Sequence, residues 1–331
     1  MSAATRTVGC TAVNEHIQKA IPSTLWHYTS YAAFQGILSS KTIWATDYRF
    51  LNDREEFRHC RKLAMDMAAL EPEFIGQQFP ARDSLIKALD VAFNTGVLRE
   101  DRLRIMVASF SEHGDQLSQW RGYAGHSTGV SIGLDLRGLR PPANIDTFVV
   151  FAPCVYTDAD KAALLESIFA HYYEAIQTYW DSVSNQAHEK AGETQGLTQE
   201  ALQNIISTKR KQLNEIIGRA QEELQADLLR IGPLMKDESF FEEKEWRLVL
   251  PSEIVKIPMQ HPIQFRPVRD ALVPYIAYPL LLKNQEGPIL CNDLILGPGS
   301  HPHAEVGVNL LFQTQFITTR ARASKVPYRP A

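Results

Sequence analysis

Three clusters of polar and aromatic residues, far apart in the chain, carry the side chains that could do chemistry. The first is His27-Tyr28-Thr29-Ser30, followed at some distance by Leu51-Asn52-Asp53 and Glu56-Phe57. The second runs from Ser109-Phe110-Ser111-Glu112 to Trp120-Arg121-Gly122-Tyr123, and the third is Glu242-Glu243-Lys244-Glu245-Trp246-Arg247. In the third, a strand over residues 243–250 puts Glu243, Glu245, Arg247 and Val249 on one face and Lys244, Trp246, Leu248 and Leu250 on the other. The Trp246 face reads as core. Glu245 and Arg247, about 6.6 Å apart along such a strand, can reach one ligand or pair with each other. The plainer reading is a solvated strand face with surface ion pairs.

His27 reads either as a satisfied core residue or as a group that holds a sugar hydroxyl or a water, since a neutral imidazole donates one hydrogen bond and accepts another. Thr29 and Ser30 offer hydroxyls to a ligand or a cap to the next helix, and Asn52 and Asp53 also suit a cap. Arg49 can clamp a diphosphate or a carboxylate with its planar fork. Ser111 and Glu112 follow an apolar strand, a common place for binding groups. Trp120 or Tyr123 can stack on a planar ring, or the helix can simply pack through Leu117, Trp120 and Ala124. The order of residues fits no Ser/His/Asp triad. His59, His113, His126, His301 and His303 form no metal signature with nearby acids. P-loop, dinucleotide-fingerprint and HExxH motifs are absent, and Gly297-Pro298-Gly299 reads as a turn.

These residues need a scaffold to position them. The chain has 331 residues, 44% hydrophobic and 22% charged, as in ordinary soluble globular proteins. A chain of this length can bury roughly 75% of its unfolded surface. The net charge of -4, from 34 basic and 38 acidic residues, argues against non-specific nucleic-acid binding. Cys10, Cys60, Cys154 and Cys291 stand far apart and read as reduced thiols of a cytoplasmic protein. The start has no leader pattern and no stretch reaches the ~20 apolar residues of a spanning helix.

The periodicity predicts a flexible tail over 1–20, a strand at Leu25–Tyr28, a helix capped by Ser30 with Phe34, Ile37 and Leu38 inward, and a strand at Thr42–Thr46. Helices follow at about 54–69 and 82–98. Next come a strand at Arg104–Phe110, a short helix at Gln116–Tyr123, and strands at Gly129–Leu134 and Phe148–Tyr156. A helical hairpin over 158–235 is predicted as an insertion dividing an α+β core of 21–157 and 236–318. Its second helix carries an apolar seam of Leu202, Ile206, Leu213, Ile217, Ala220 and Leu224, which also suits a dimer-forming arm. Strands at Glu245–Leu250, Ile263–Val268, Tyr275–Leu282 and Leu290–Leu296, a helix at His303–Gln313 and a basic tail over 319–331 complete the reading.

Taken together, Leu25–Ser30, Phe50–Asp53 with Glu56-Phe57, Ser109–Glu112, Gln119–Ala124, Gly129–Asp135, Glu242–Arg247 and Ile295–Pro298 resemble the bacterial family grouped as domain of unknown function 2971. Proteins of this family look distantly like ADP-ribosyltransferases. That resemblance implies an α+β fold with a bent or split mixed sheet, and NAD as substrate. It implies that His27 holds the NAD ribose and that Glu245, with Glu243 second, steadies the ribose as its glycosidic bond breaks. Tyr28, Trp44, Tyr48 and Tyr123 are the candidates to sandwich nicotinamide. Thr29, Ser30 and Ser111 supply hydroxyls, and Arg49 or Arg121 holds the pyrophosphate. A toxin or phage-defence role follows from the same resemblance. The rival readings are a non-catalytic nucleotide-sensing or interaction module, and a metal-dependent nuclease built on Glu112, Asp115, Glu243 and Glu245.

Overall fold

A computed structural model describes residues 9–51, 56–75, 79–96, 98–99, 104–124, 127–139, 149–190, 199–251, 262–268, 271–280 and 291–327. The first half of the chain contains α1 (Thr11–Ile17), β1 (Leu25–Thr29), α2 (Tyr31–Ser40), β2 (Thr42–Asp47) and α3 (Glu56–Ala68). It continues with β3 (Phe74–Ile75), β4 (Phe79–Pro80), α4 (Ala81–Asp90), β5 (Ile105–Ser111), α5 (Leu117–Tyr123), β6 (Val130–Leu134) and β7 (Val150–Pro153). The long helices α6 (Asp158–Lys190) and α7 (Gln199–Ile231) come next. The chain then forms β8 (Glu245–Pro251), β9 (Gln264–Val268), β10 (Ala271–Pro279), β11 (Cys291–Leu296), α8 (Ala304–Thr314) and β12 (Ala321–Ala323). None of the helices among the described residues is long and apolar enough to cross a membrane.

The chain divides into two units. One is helical and gathers residues up to Glu15, Phe57–Leu103 and Asp158–Gly232. The predicted insertion is therefore not a hairpin standing alone. Within this unit α6 and α7 pack together, His171 meeting Glu223 at 3.1 Å, and Tyr172 of α6 shares a 2.7 Å hydrogen bond with Ser84 of α4. Ala220 and Leu224 of the predicted seam are buried; the side chains of Leu202 and Ile206 lie outside the described residues. The predicted N-terminal tail is also corrected. Residues 11–17 are helical, Cys10 and Val13 are buried, and the Cys10 amide donates to the Asp227 carboxylate at 2.7 Å.

The other unit is α+β and is organised around a ten-stranded sheet. Its main path runs β12-β11-β6-β1-β5-β2-β10-β9, with β8 and β7 branching from β5. All pairs are antiparallel except β11 with β12, so the sheet is mixed. β12 falls inside the predicted basic tail. It is held there by its ladder to Leu294–Leu296 and by Arg322, which pairs with Asp293 at 2.8 Å.

The branching at β5 is the feature that shapes the unit. Along one edge β5 pairs with β8 over its whole length, Ile105 opposite Pro251 through Ser111 opposite Glu245. Its other edge is shared. β2 takes Met106 and Val107, and β1 takes only Ser111. A split therefore opens between β1 and β2, opposite the middle of β5. The connection between them is α2, whose Ser30 cap accepts from the Ala33 amide at 3.2 Å. Phe34, Ile37 and Leu38 on its inner face join the core with Leu25, Phe110 and Trp246. Burying side chains of this size is worth about 1.5–3 kcal/mol each. The facing residues Ala32, Ala33 and Gly36 are small and leave the split open beneath the helix.

Candidate functional site

The split is a cleft of about 370 Å³, in the size range of ligand pockets. Its floor is the middle of β5, and His27, Trp44, Gln119, Tyr123, Glu243, Glu245 and Arg266 stand around it. Two of the three sequence clusters thus supply its histidine and its carboxylates, and the second cluster supplies its floor.

His27 sits where β1 leaves β5. Its Nδ1 lies 3.0 Å from the carbonyl oxygen of Ser109, which pairs with no strand on that edge. A carbonyl can only accept, so Nδ1 carries the proton and the Nε2 of the neutral ring keeps its lone pair. Burial pushes the His27 pKa down, against the smaller opposing effect of the Ser109 hydrogen bond, and so favours that neutral ring. No described residue hydrogen-bonds to Nε2. The ring is backed by Phe110, 5.6 Å between centroids.

On the other flank of β5, the carboxylates are held by a buried charge quartet. Glu243 ends a short 3-10 turn, and Lys244, in the left-handed region at φ 42°, reverses the chain into β8. That kink lets Glu243 and Glu245 meet one ammonium, that of Lys236, which is only 2% exposed. Arg247 adds its Nε to Glu245 Oε1 at 2.8 Å and its Nη2 to Oε2 at 3.2 Å, while its Nη1 donates to the Pro233 carbonyl at 2.6 Å. The Glu245 amide donates to the Tyr156 hydroxyl at 2.8 Å. Burial alone would raise the Glu245 pKa, but the Arg247 and Lys236 cations overcome it and hold the carboxyl at about 2. Glu243 differs. Burial raises its pKa, Lys236 only partly offsetting this, and its Oε1 carries no hydrogen bond from a described residue. Ser111 fixes the backbone here, its hydroxyl donating to the Glu243 carbonyl at 2.6 Å and accepting from the His113 amide at 3.0 Å.

The predicted face assignment for this strand is half right. Trp246, Leu248 and Leu250 do enter the core. The opposite face is not solvated, because Glu245 is 5% and Arg247 2% exposed, and their ion pairs are internal.

The remaining predicted site residues divide. Thr29 and Ser30 line the cleft beside His27, and Ser111 and Tyr123 line it from the β5–α5 side. Tyr28 touches it, but its side chain serves packing. Its ring meets Trp120 edge-on at 4.8 Å, and its hydroxyl donates to the His113 carbonyl and accepts from the Gln116 amide. Arg49, Tyr48 and Arg121 do not line the cleft. Arg49 is clamped by its own neighbour, Nε to Asp47 Oδ1 at 2.9 Å and Nη2 to Oδ2 at 2.6 Å, and borders a separate hollow with Phe50 and Phe265. Tyr48 is buried in the turn that Asp47 caps, and Arg121 is on the exposed side of α5. Asn52, Asp53 and His126 lie outside the described residues.

The carboxylates proposed for a nuclease are not gathered. Glu112 accepts from Trp246 Nε1 at 2.8 Å, and Asp115 from Trp120 Nε1 at 2.8 Å and the Lys325 amide at 2.7 Å. No group of three His, Cys, Asp or Glu side chains suited to a metal ion occurs among the described residues.

Sequence reasoning missed Lys236 and Arg266. Lys236 closes the buried run Ile231–Met235, and a lysine continuing so apolar a run is a faint signal of an internal ion pair. Arg266 is a single charge on a mostly exposed strand, with nothing in its neighbours to separate it from a solvated one.

No curated protein and no solved structure matches this chain. Residues 119–248, from α5 into β8 and so including Glu243 and Glu245, match the model of the family described as a protein of unknown function, DUF2971.

Proposed function

We propose that the cleft binds NAD and breaks its nicotinamide–ribose bond, passing ADP-ribose to an acceptor or to water. One observation carries this reading: a histidine whose free nitrogen is a hydrogen-bond acceptor stands in the same cleft as two buried carboxylates. His27 Nε2 accepts from a ribose hydroxyl and sets the angle of the sugar. The C–N bond breaks with its electron pair leaving on nicotinamide, and positive charge develops on the sugar. A fixed carboxylate beside that charge lowers the barrier.

Glu245 has both oxygens engaged by Arg247 and Lys236, so it is the anchored charge. Glu243 has an oxygen to spare and a raised pKa, which suits it to take the proton of the incoming hydroxyl or water. The products are nicotinamide, the ADP-ribosylated acceptor (or free ADP-ribose) and one proton.

The test is nicotinamide release from NAD by the full chain and by Glu243→Gln. Turnover by the wild type that the variant loses supports the reading; equal turnover by both removes Glu243 from the chemistry. A second reading, binding without cleavage, is favoured by the balance of the quartet, in which two cations already face two carboxylates. NAD that binds and stays intact identifies that case.

A further inference from the structure

We propose that Arg266 is a phosphate anchor, a second binding point in the cleft that grips a phosphate or diphosphate of the ligand. The proposal deepens the NAD reading and rests on it for the name of the ligand, but the anion site stands on separate observations. Arg266 lies on β9 opposite Val273, and Thr46 lies opposite Tyr275 on the far side of β10. The side chain therefore reaches across β10, where its Nη2 donates to the Thr46 hydroxyl at 3.1 Å. Its guanidinium carbon sits 5.3 Å from the centroid of the Trp44 ring, and it lines the cleft.

What it lacks is an anion. No carboxylate among the described residues is within ion-pair distance of Arg266, and its Nε is buried without a partner. Burial lowers its pKa, the mark of a cation removed from water without full compensation. The two buried cations of the same unit, Lys236 and Arg247, are both matched by carboxylates. A half-buried charge with no counter-ion costs free energy that an incoming anion recovers. Nη1 has no hydrogen-bond partner among the described residues, and Nη2 keeps a second N–H beyond the one given to Thr46, so the two terminal nitrogens present donors in one plane, an end-on geometry that takes phosphate oxygens bidentately. The carboxylate wall belongs to β8 and the guanidinium to β9 and β2, so the cleft offers unlike ends to an elongated ligand: one for hydroxyls, one for phosphate.

The experiment titrates the full chain with inorganic pyrophosphate and with ADP-ribose, by calorimetry at two salt concentrations. The wild type is expected to bind both, more weakly at high salt, and Arg266→Gln to lose at least tenfold in affinity for each. Arg266→Lys, which keeps the charge but not the fork, is expected to lose several-fold. Thr46→Val, which removes only the hydroxyl under the guanidinium, is expected to lose less, and it keeps the question open to test if Arg266→Gln does not fold. Unchanged affinity in Arg266→Gln and Arg266→Lys, or no pyrophosphate binding by the wild type, overturns the proposal. Arg266-dependent pyrophosphate binding without nicotinamide release from NAD leaves the anchor standing and removes the activity. Nicotinamide release with an unchanged KM in Arg266→Gln does the reverse.

Discussion

The two walls of the cleft treat charge in opposite ways. On the β8 side Lys236, Glu243, Glu245 and Arg247 are all internal, and each cation touches a carboxylate. On the β2–β9 side Arg266 leans on a neutral hydroxyl and an aromatic ring, and Trp44 is 40% exposed. The first wall is complete as it stands, and the second is completed by something that enters. Matched buried charges fix a geometry, whereas unmatched ones advertise a ligand. Sequence separates the two only in part: it marks Glu243, Glu245 and Arg247 as candidates but gives no sign that their charges are matched, and it gives Arg266 no signal at all.

The sharpest way to break the comparison is to unmatch the matched wall. Lys236→Met strands Glu243, leaves Glu245 to Arg247 alone, and is expected to destabilise the α+β unit by about 3–5 kcal/mol in urea unfolding. A loss below about 1 kcal/mol would mean the quartet does not organise this wall.

The two carboxylates should then separate by effect. Glu243→Gln is expected to slow nicotinamide release by about 10²-fold, the low end of what removing a general base costs, with little change in stability. Glu245→Gln is expected to lower stability as well, because it breaks the bonds to Arg247 and Lys236. Identical profiles for the two substitutions would contradict the division of roles.

A smaller effect is expected from pH. The His27 pKa is lowered in the folded chain, so the unfolded chain takes up the proton first as pH falls below about 6.5. The neutral ring's contribution is complete above that pH and declines below it, toward the lower folded pKa. His27→Asn places an amide N–H where Nδ1–H stood, and is expected to flatten this part of the pH–stability curve while abolishing turnover. A curve of unchanged slope between pH 7 and 5 would place the protonation elsewhere.

The smallest effect concerns the roof. A β-carbon on Gly36 would meet nothing within 4 Å, so Gly36→Ala is expected to stabilise α2 by about 0.5–1 kcal/mol and leave binding intact. Gly36→Trp, by contrast, is expected to fill the cleft and weaken ADP-ribose binding without unfolding the chain.

Much of the scaffold was legible because it rests on local periodicity. The strand at Leu25, the Ser30 cap, the inward stripe of Phe34, Ile37 and Leu38, and the apolar strand through Val107 all stand where alternation and helical spacing put them. The helical unit was only half legible. Its later helices were evident, α1 was read as tail, and the assembly of α6 and α7 with residues 57–103 depends on contacts between distant segments that no spacing encodes.

At the site, the residue types of His27, Glu243 and Glu245 were informative, while their partners were not. The surface ion pairs expected at Glu245 and Arg247 became an internal quartet because Lys236, from outside the strand, closes it. Arg49 illustrates the converse. Its type suited a phosphate, but Asp47, two residues earlier, caps the turn and satisfies the guanidinium. Arg266 does from two strands away what Arg49 was expected to do nearby.

The most direct test of the account is the structure of the chain bound to a non-cleavable NAD analogue. The account predicts the analogue in the cleft between β1 and β2, a ribose hydroxyl on His27 Nε2, Glu243 within hydrogen-bond distance of the reacting sugar, and a phosphate oxygen on Arg266. An analogue bound outside that cleft, or lying in it with its ribose turned away from both His27 and Glu243, would contradict it.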